Sequence, residues 1–436
     1  MSGLNHTDIR TISVDQLRVG LYVHLDLKWF EHPFAFSHFK IKSEEQIRVI
    51  RSLGLKTVRF SPELSAGSPA PQVATSPTPT SDAAALPTIG TEPELAPIML
   101  AKRALIEQMR LRQQAAERVE NAFANTANTV RVIEKNLHSK PTETVQQATK
   151  LIAQIADSIL SAPELAIHVM GDKMGGDELY FHTLNVTMLS MMMARDLKLP
   201  GEVVSVLGIG ALLHDIGHKE VPDKILRKTE TLTQAERSFF EMHCQYGVDM
   251  GQRLQLAPAV LAIIREHHEL FDGTGYPGKL KGDATSPLSR IVVIANHYDE
   301  LCNPLILADA LTPHEALSLM FAKLRGKFDP KLLQVFIRCL GVYPPGTIVQ
   351  LSNGAIGMVA TVNTARPMKP TVVVYDADVP KEEAILLDME RETEVNIAKA
   401  VRPAQVPREV YNYLSPRKRV SYYFDAASAR PNEGKS

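Results

Sequence analysis

The sequence predicts a mainly α protein: a central helical domain flanked by a small N-terminal α+β module and a small C-terminal β module. Three observations predict it. Helix-spaced apolar residues run through positions 162–342. Two-residue alternation, the period of a strand, occurs near each end, over Leu17–Leu25 and Thr347–Leu351. Between the N-terminal module and the first helices lies a stretch, 62–97, rich in Pro, Ser, Thr and Ala. Such a segment cannot bury enough apolar surface to fold, so it reads as a flexible linker.

Taken in order, Leu17, Val19, Leu21, Val23 and Leu25 read as one strand. Ser43 stands three residues before Gln46, the spacing of a capping box, and Ile47, Ile50 and Leu53 follow at helical intervals. Gly54 ends that helix, and Lys56–Phe60 reads as another strand, which closes a module over 1–61. Helical pattern resumes after Pro97, breaks at Pro141, and continues with Ile152, Ile155 and Ile159 on one face. Residues 98–161 are therefore read as connecting helices. The part from Ala101 to His138 is either a dimerising element or a solvated lead into the next domain.

Residues 162–342 read as nearly all helix. Thr312, Pro313 and Glu315 supply a cap, a first-turn proline and a capping-box acid, and Asp329 with Pro330 starts a further helix. The pattern then changes, and 343–424 reads as a β module: Thr347, Val349 and Leu351 alternate, Asn353-Gly354 is a hairpin turn, and Val372–Tyr375 is β-branched and aromatic. The last residues, 425–436, are expected to be disordered.

Lys plus Arg number 48 against 49 for Asp plus Glu, a balance that argues against a strongly basic nucleic-acid binder, so no DNA partner is expected. Cys244, Cys302 and Cys339 are odd in number and far apart, which fits buried thiols and not a disulfide framework or a zinc finger. The N-terminus has no apolar signal core. The longest apolar stretch, Val203–Leu213, is short for a membrane span and runs straight into His214 and Asp215. A soluble, cytoplasmic protein is the expectation.

The helical region holds Glu178 and His182, His214 and Asp215, His218, His243, and then His267, His268 and Glu269. A lone helical histidine is more often an ordinary core or surface residue. An adjacent His-Asp pair closing an apolar helix, followed by His-His-Glu, is a metal-binding pattern: imidazole and carboxylate suit Mn, Fe, Zn, Ni or Co without sulfur. Glu178 and His182, four residues apart, share one helix face and could grip one ion. Asp215 has two carboxylate oxygens and could bridge two ions. Paired ions about 3.5–4 Å apart suit in-line displacement at phosphorus.

The string His-Asp-Ile-Gly at 214–217, His243, and the block HisHisGluLeuPheAspGlyThrGlyTyrPro over 267–277 resemble the HD-GYP family, over roughly 178–330. The strings ArgValGlyLeuTyrVal and TrpPheGluHisProPhe are similar to a module often found ahead of such domains. The resemblance implies an HD-superfamily helical bundle with a centre of two or three divalent ions, Fe or Mn foremost and Ni, Co or Zn as alternatives. It implies hydrolysis of cyclic di-GMP to linear pGpG and, in some members, onward to GMP. It implies metal-ligand positions at Glu178, His182, His214, Asp215, His243, His267, His268 and Asn296, with Glu178 serving a third ion. It implies catalytic roles for Asp215 and His218, and substrate contacts at His218, Gly275, Tyr276, Pro277 and Asp299. Implied partners are cyclic di-GMP, GGDEF-type diguanylate cyclases or other signalling proteins, and a second copy of the chain.

Three departures from the family pattern stand out. His218 takes the place of a lysine, a lasting cation, whereas an imidazole is largely neutral at pH 7. Asn296 takes the place of an aspartate ligand, and LeuCysAsnPro at 301–304 replaces a string that carries an arginine. They motivate a competing reading, a binding or interaction module whose site has decayed. A third reading is hydrolysis of another nucleotide, as in the broader HD superfamily. Gly175-Gly176-Asp177-Glu178-Leu179 imitates the signature of diguanylate cyclases, yet it leads into the helix of His182 with no cyclase-sized α/β domain around it.

Overall fold

The computed structural model describes residues 9–69 apart from 35, parts of 99–136, then 139–161, and 178–414 apart from 364–365, 378, 382–383 and 393. The described residues fall into two compact units, one drawn from 1–109 and 376–387, the other from 110–375 and 388–436. Most of the expected linker, most of Ala101–His138, the 175–177 part of the cyclase-like string and the 425–436 tail lie outside the described residues.

The first unit carries strands β1 (Arg10–Ser13), β2 (Tyr22–His24), β3 (His38–Lys40) and β4 (Thr57–Ser61) with helix α1 (Glu44–Ser52). Its sheet is antiparallel in the order β1-β4-β2-β3. Leu17, Leu21, Val23, Leu25, Ile47, Ile50, Val58 and Phe60 form its core. The single strand expected over Leu17–Leu25 is shorter than the alternation suggested. Gly20 takes a φ of 97°, open to glycine and costly for other residues, so the chain turns at 19–20 and Val19 is exposed. The Ser43 cap forms as expected, with Ser43 Oγ accepting from the Gln46 amide at 3.3 Å. The Gln46 side chain, however, accepts from Lys42 N at 2.7 Å, one residue outside a capping box.

The second unit is built from α2 (Pro141–Ser161), α3 (Glu178–Asp196), α4 (Gly201–Leu213), α5 (Asp223–Leu226), α6 (Gln234–Glu241), α7 (His243–Arg253), α8 (Pro258–Glu266), α9 (Pro287–Cys302), α10 (Pro313–Ala322) and α11 (Pro330–Leu340). Helix α3 packs between α4 and α9, and α4 also packs on α2 and α8. Helix α4 is apolar on all sides, as a central helix must be: Val204, Leu207, Ala211, Leu212 and Leu213 are buried. Ile152, Ile155 and Ile159 of α2 enter the same core, so this helix is part of the bundle and not only a connector to it. Gly208 makes that possible, because a Cβ there would overlap the Ile152 side chain. The caps expected from sequence close α10 and α11: Thr312 and Glu315 bond reciprocally, and Asp329 accepts from the amides of Lys331 and Leu332.

After α11 come β5 (Ile348–Leu351), β6 (Ile356–Thr361), β7 (Thr371–Val374), β8 (Ile385–Asp388), β9 (Ile397–Val401) and helix α12 (Arg408–Leu414). Strand β5 pairs antiparallel with β6 and β9, and β6 with β7. The Asn353-Gly354 turn joins β5 to β6, with Gly354 at a φ of 89°. Helix α12, absent from the expectation of a purely β module, sets Val410 and Leu414 on Ile348.

Candidate metal centre

The C-terminus of α4 and the start of a 3-10 turn, Ile216–Glu220, place His214 and Asp215 at the middle of the bundle. Gly217 in that turn lets α7 approach. A Cβ there would overlap the His243 carbonyl oxygen and the Gly247 amide. Helix α7 opens with His243, His267 and His268 follow directly after α8, and α3 brings His182 from the opposite side.

Asp215 stands between two sets of imidazoles. Its Oδ1 lies 3.5 Å from His243 Nε2 and 3.3 Å from His267 Nε2. Its Oδ2 lies 3.3 Å from His214 Nε2, 3.4 Å from His218 Nδ1 and 3.6 Å from His182 Nε2. Two groups follow, Asp215 with His243, His267 and His268, and Asp215 with His182 and His214. Within each, one potential ligand atom per residue lies within 4.8 Å of the others. The carboxylate is common to both.

Hydrogen bonds on the far side of each ring decide which nitrogen is free. The Nδ1 atoms of His214, His243 and His267 donate to the carbonyl three residues earlier, Ala211, Phe240 and Ile264, at 2.7, 2.7 and 2.8 Å. A carbonyl only accepts, so in the neutral ring the proton is on Nδ1 and the Nε2 lone pair faces Asp215. His182 is held by a carboxylate instead: its Nδ1 lies 2.7 Å from Asp299 Oδ2. The other oxygen of Asp299 accepts from Asn185 Nδ2 at 2.7 Å and Asn303 Nδ2 at 2.8 Å. Asp299, expected at the substrate, thus lies fully buried behind a histidine.

Electrostatics favour neutral rings around one anion. Burial drives His243 down to about 3, with the His218 charge adding to it. Burial also lowers His267, His268 and His218. Burial opposes the charge on Asp215, but the facing His214 and His218 more than offset it and hold the carboxyl well below its usual range. His182 is the exception. Burial would lower it, yet the hydrogen bond and charge of Asp299, with Asp215 and Glu300, push it up to about 9. Neutral imidazoles with a carboxylate are the protonation states a divalent cation requires.

The donor set fits such cations. His243 Nε2 and His267 Nε2 are 3.1 Å apart, and His182 Nε2 and His214 Nε2 are 3.4 Å apart. Between the neutral rings of His243 and His267 two lone pairs repel at that distance unless something positive lies between them, whereas His182, pushed up to about 9, carries a proton there that a cation would replace. Two nitrogens each about 2.1 Å from one ion, at octahedral to tetrahedral angles, are separated by roughly 3.0–3.4 Å. Asp215 Oδ1, Asn296 Oδ1 and both ring nitrogens of His218 are buried with no hydrogen-bond partner among the described residues. The three cysteines are buried free thiols, and Cys244, beside His243, is kept protonated by burial.

The loop after α8 covers one side. Tyr276 stacks on His268, with centroids 4.6 Å apart and planes inclined by 21°. Burial raises its hydroxyl far above the usual value, so it remains a donor. Gly275 is required there, because a Cβ would overlap the backbone of His268, Glu269 and Leu270. Pro277 is exposed beside it. Glu269 turns away from the centre and accepts from the amides of Gly278 and Leu280, which anchors the loop. Sequence reasoning missed that role, and also Asn185 and Asn303, although each is one helical turn from His182 or Asp299. His218 is brought to the centre, its ring tilted against those of His243 and Phe240 with centroids 4.3 and 5.4 Å away. Asn296 is buried one turn before Glu300, to which its Nδ2 donates at 3.1 Å. Glu178 begins α3, and its side chain lies outside the described residues.

Comparison with known proteins adds three matches along the chain: an HD domain over residues 131–332, a domain of unknown function over 9–148, and a KOW domain associated with HD domain over 348–409. A cyclic di-GMP phosphodiesterase of Pseudomonas aeruginosa is 29% identical over 437 residues, covering 97% of this chain and 100% of that protein. The cyclic di-GMP phosphodiesterase response regulator RpfG of Xanthomonas campestris is 32% identical over 149 residues, 34% of this chain and 39% of that protein. A 3'3'-cGAMP-specific phosphodiesterase of Vibrio cholerae is 33% identical over 127 residues, 29% of this chain and 24% of that protein. Among solved structures, an HDG"Y"P protein from Bdellovibrio bacteriovorus aligns with a TM-score of 0.39 at 17% identity, over 76% of this chain and 98% of that one.

Proposed function

This chain belongs to the HD domain family, in its HD-GYP form, and on that premise we propose that it is a metal-dependent phosphodiesterase acting on cyclic di-GMP. The product is linear pGpG, with GMP as the further product. One observation carries the reading: Asp215 presents one oxygen to His243 and His267 and the other to His182 and His214. Two divalent ions, Fe or Mn, fit that arrangement, and Glu178 at the start of α3 would serve a third. Ions so held supply Lewis acidity at phosphorus and a water acidic enough to attack near neutral pH.

The chain's own residues do the rest. The carbonyl bonds behind His214, His243 and His267 fix three rings before anything binds, so little reordering is needed during reaction. Tyr276, flat against His268 and protonated, offers a ring face for a base or a hydroxyl for a phosphate oxygen. Gly275 and Pro277 hold that loop close. His218, neutral and buried, is an additional nitrogen ligand or a hydrogen-bond donor to substrate.

Incubating Mn- or Fe-loaded protein with cyclic di-GMP is expected to yield pGpG, and Asp215→Ala is expected to reduce turnover by at least 1,000-fold, roughly the loss of the metal's contribution. Absence of turnover with every one of Mn, Fe, Ni and Co would instead favour the second reading, a cyclic di-GMP-binding module, which His218 and Asn296 motivate. The relative named for 3'3'-cGAMP makes that dinucleotide the comparison substrate in the same assay. GGDEF-type cyclases, which make the messenger, and a second copy of the chain are the protein partners that this function implies.

A further inference from the structure

Asn296 is 2% exposed, and its Oδ1 is buried without a hydrogen-bond partner among the described residues. Its Nδ2 donates to Glu300 Oε1 at 3.1 Å. The amide nitrogen donates and the carboxyl oxygen accepts in this contact, which leaves Oδ1 as the unpaired end of the amide. Buried carbonyl oxygens are seldom left unpaired, and this one lies on the α9 face that also carries Asp299 to His182. Residues 296, 299 and 300 share that face because they are three and four positions apart.

Glu300 itself is not a packing residue. Its side chain keeps 46% of its surface accessible. It nevertheless stands among the groups of the centre: its charge acts on His182 and on Tyr276, while burial and Asp215 raise its own carboxyl to about 7 against the pull of His182, the Asn296 hydrogen bond and His214. The donors already described bring one carboxylate, Asp215, to two ions, and an amide at 296 adds oxygen without charge. A hard divalent cation favours oxygen ligands and nearby negative charge.

We propose that Glu300 is a positioning residue of the metal centre: it holds the Asn296 amide with Oδ1 toward the ions and supplies the negative charge that the amide lacks. The inference rests on the metal-centre reading above and adds to it a residue that neither the motif nor the two ligand groups contain. Glu300 acts through Asn296 and so is not a catalytic residue. Removing its charge lowers ion affinity without disturbing the fold.

The test is Mn2+ titration of the full chain by calorimetry, with ion content by elemental analysis, for wild type, E300Q, N296D and N296D/E300Q. E300Q is expected to weaken at least one ion by about 10–100-fold, the usual effect of losing an outer-shell partner. Its melting temperature in chelator is expected to match wild type. In N296D/E300Q the hydrogen bond is reversed, with the amide at 300 donating to a carboxylate at 296, so affinity is expected to return to within a few-fold of wild type. A merely structural role for Glu300 gives no such rescue. E300Q binding Mn2+ as tightly as wild type overturns the proposal alone, and so does a double variant no better than E300Q. A wild-type chain that takes up no ion overturns the metal centre itself, and this proposal with it.

Discussion

Single residues decide the protonation of this site through the atoms behind them. Three imidazoles lean on carbonyls, while His182 leans on Asp299, and that difference is measurable. A pKa raised from 6.5 to about 9 means that the metal-free folded protein keeps a proton on His182 at pH 7. Loading with Mn2+ at pH 7 is therefore expected to release about one proton from that ring, read by calorimetry in two buffers of different ionisation enthalpy. Ion uptake independent of the buffer contradicts this. Asp299→Asn, which removes the charge behind His182, is expected to abolish most of that release and to weaken ion binding by about 10–100-fold. The histidines and Asp215 are legible in sequence because they fall in two short strings and on helix spacings. Asp299's service to His182 is not, because the two residues are 117 positions apart and only the packing of α9 on α3 joins them.

At the scale of elements, close approach of backbones sets the site, and glycine marks where it happens. Gly217 admits the first turn of α7, so Gly217→Ala is expected to push His243 away from Asp215. The expected cost is about 1–3 kcal/mol of stability, seen as a lower melting temperature, together with lost ion content. An unchanged melting curve would show that the turn and α7 yield easily. Glu269 offers the contrasting case, because it anchors the Tyr276 loop and touches no ligand ring in its hydrogen bonding. Glu269→Gln is expected to raise KM for the dinucleotide and leave ion content intact; loss of ions instead would move Glu269 into the centre. Capping signals were readable at this scale, since Thr312, Glu315 and Asp329 act within four residues. The strand near Leu17–Leu25 is shorter than its sequence pattern suggests, because alternation continues through Gly20, where the backbone turns.

On the scale of the whole chain, the helical unit is a rigid frame for one shared carboxylate. Its core runs from Val130 and α2 through α11, so the bundle begins well before the 162 boundary suggested by sequence. Ile152, Ile155 and Ile159 showed an apolar stripe, but a stripe does not say which surface covers it, and here it is α4, opened by Gly208. No helix among the described residues is long and apolar enough to cross a membrane. If Asp215 joins two cation sites, anomalous X-ray scattering from crystals grown with Mn2+ locates both of them. Two peaks about 3.5–4 Å apart are expected, one beside each Asp215 oxygen. A single peak, or peaks that Asp215 does not touch, would contradict it.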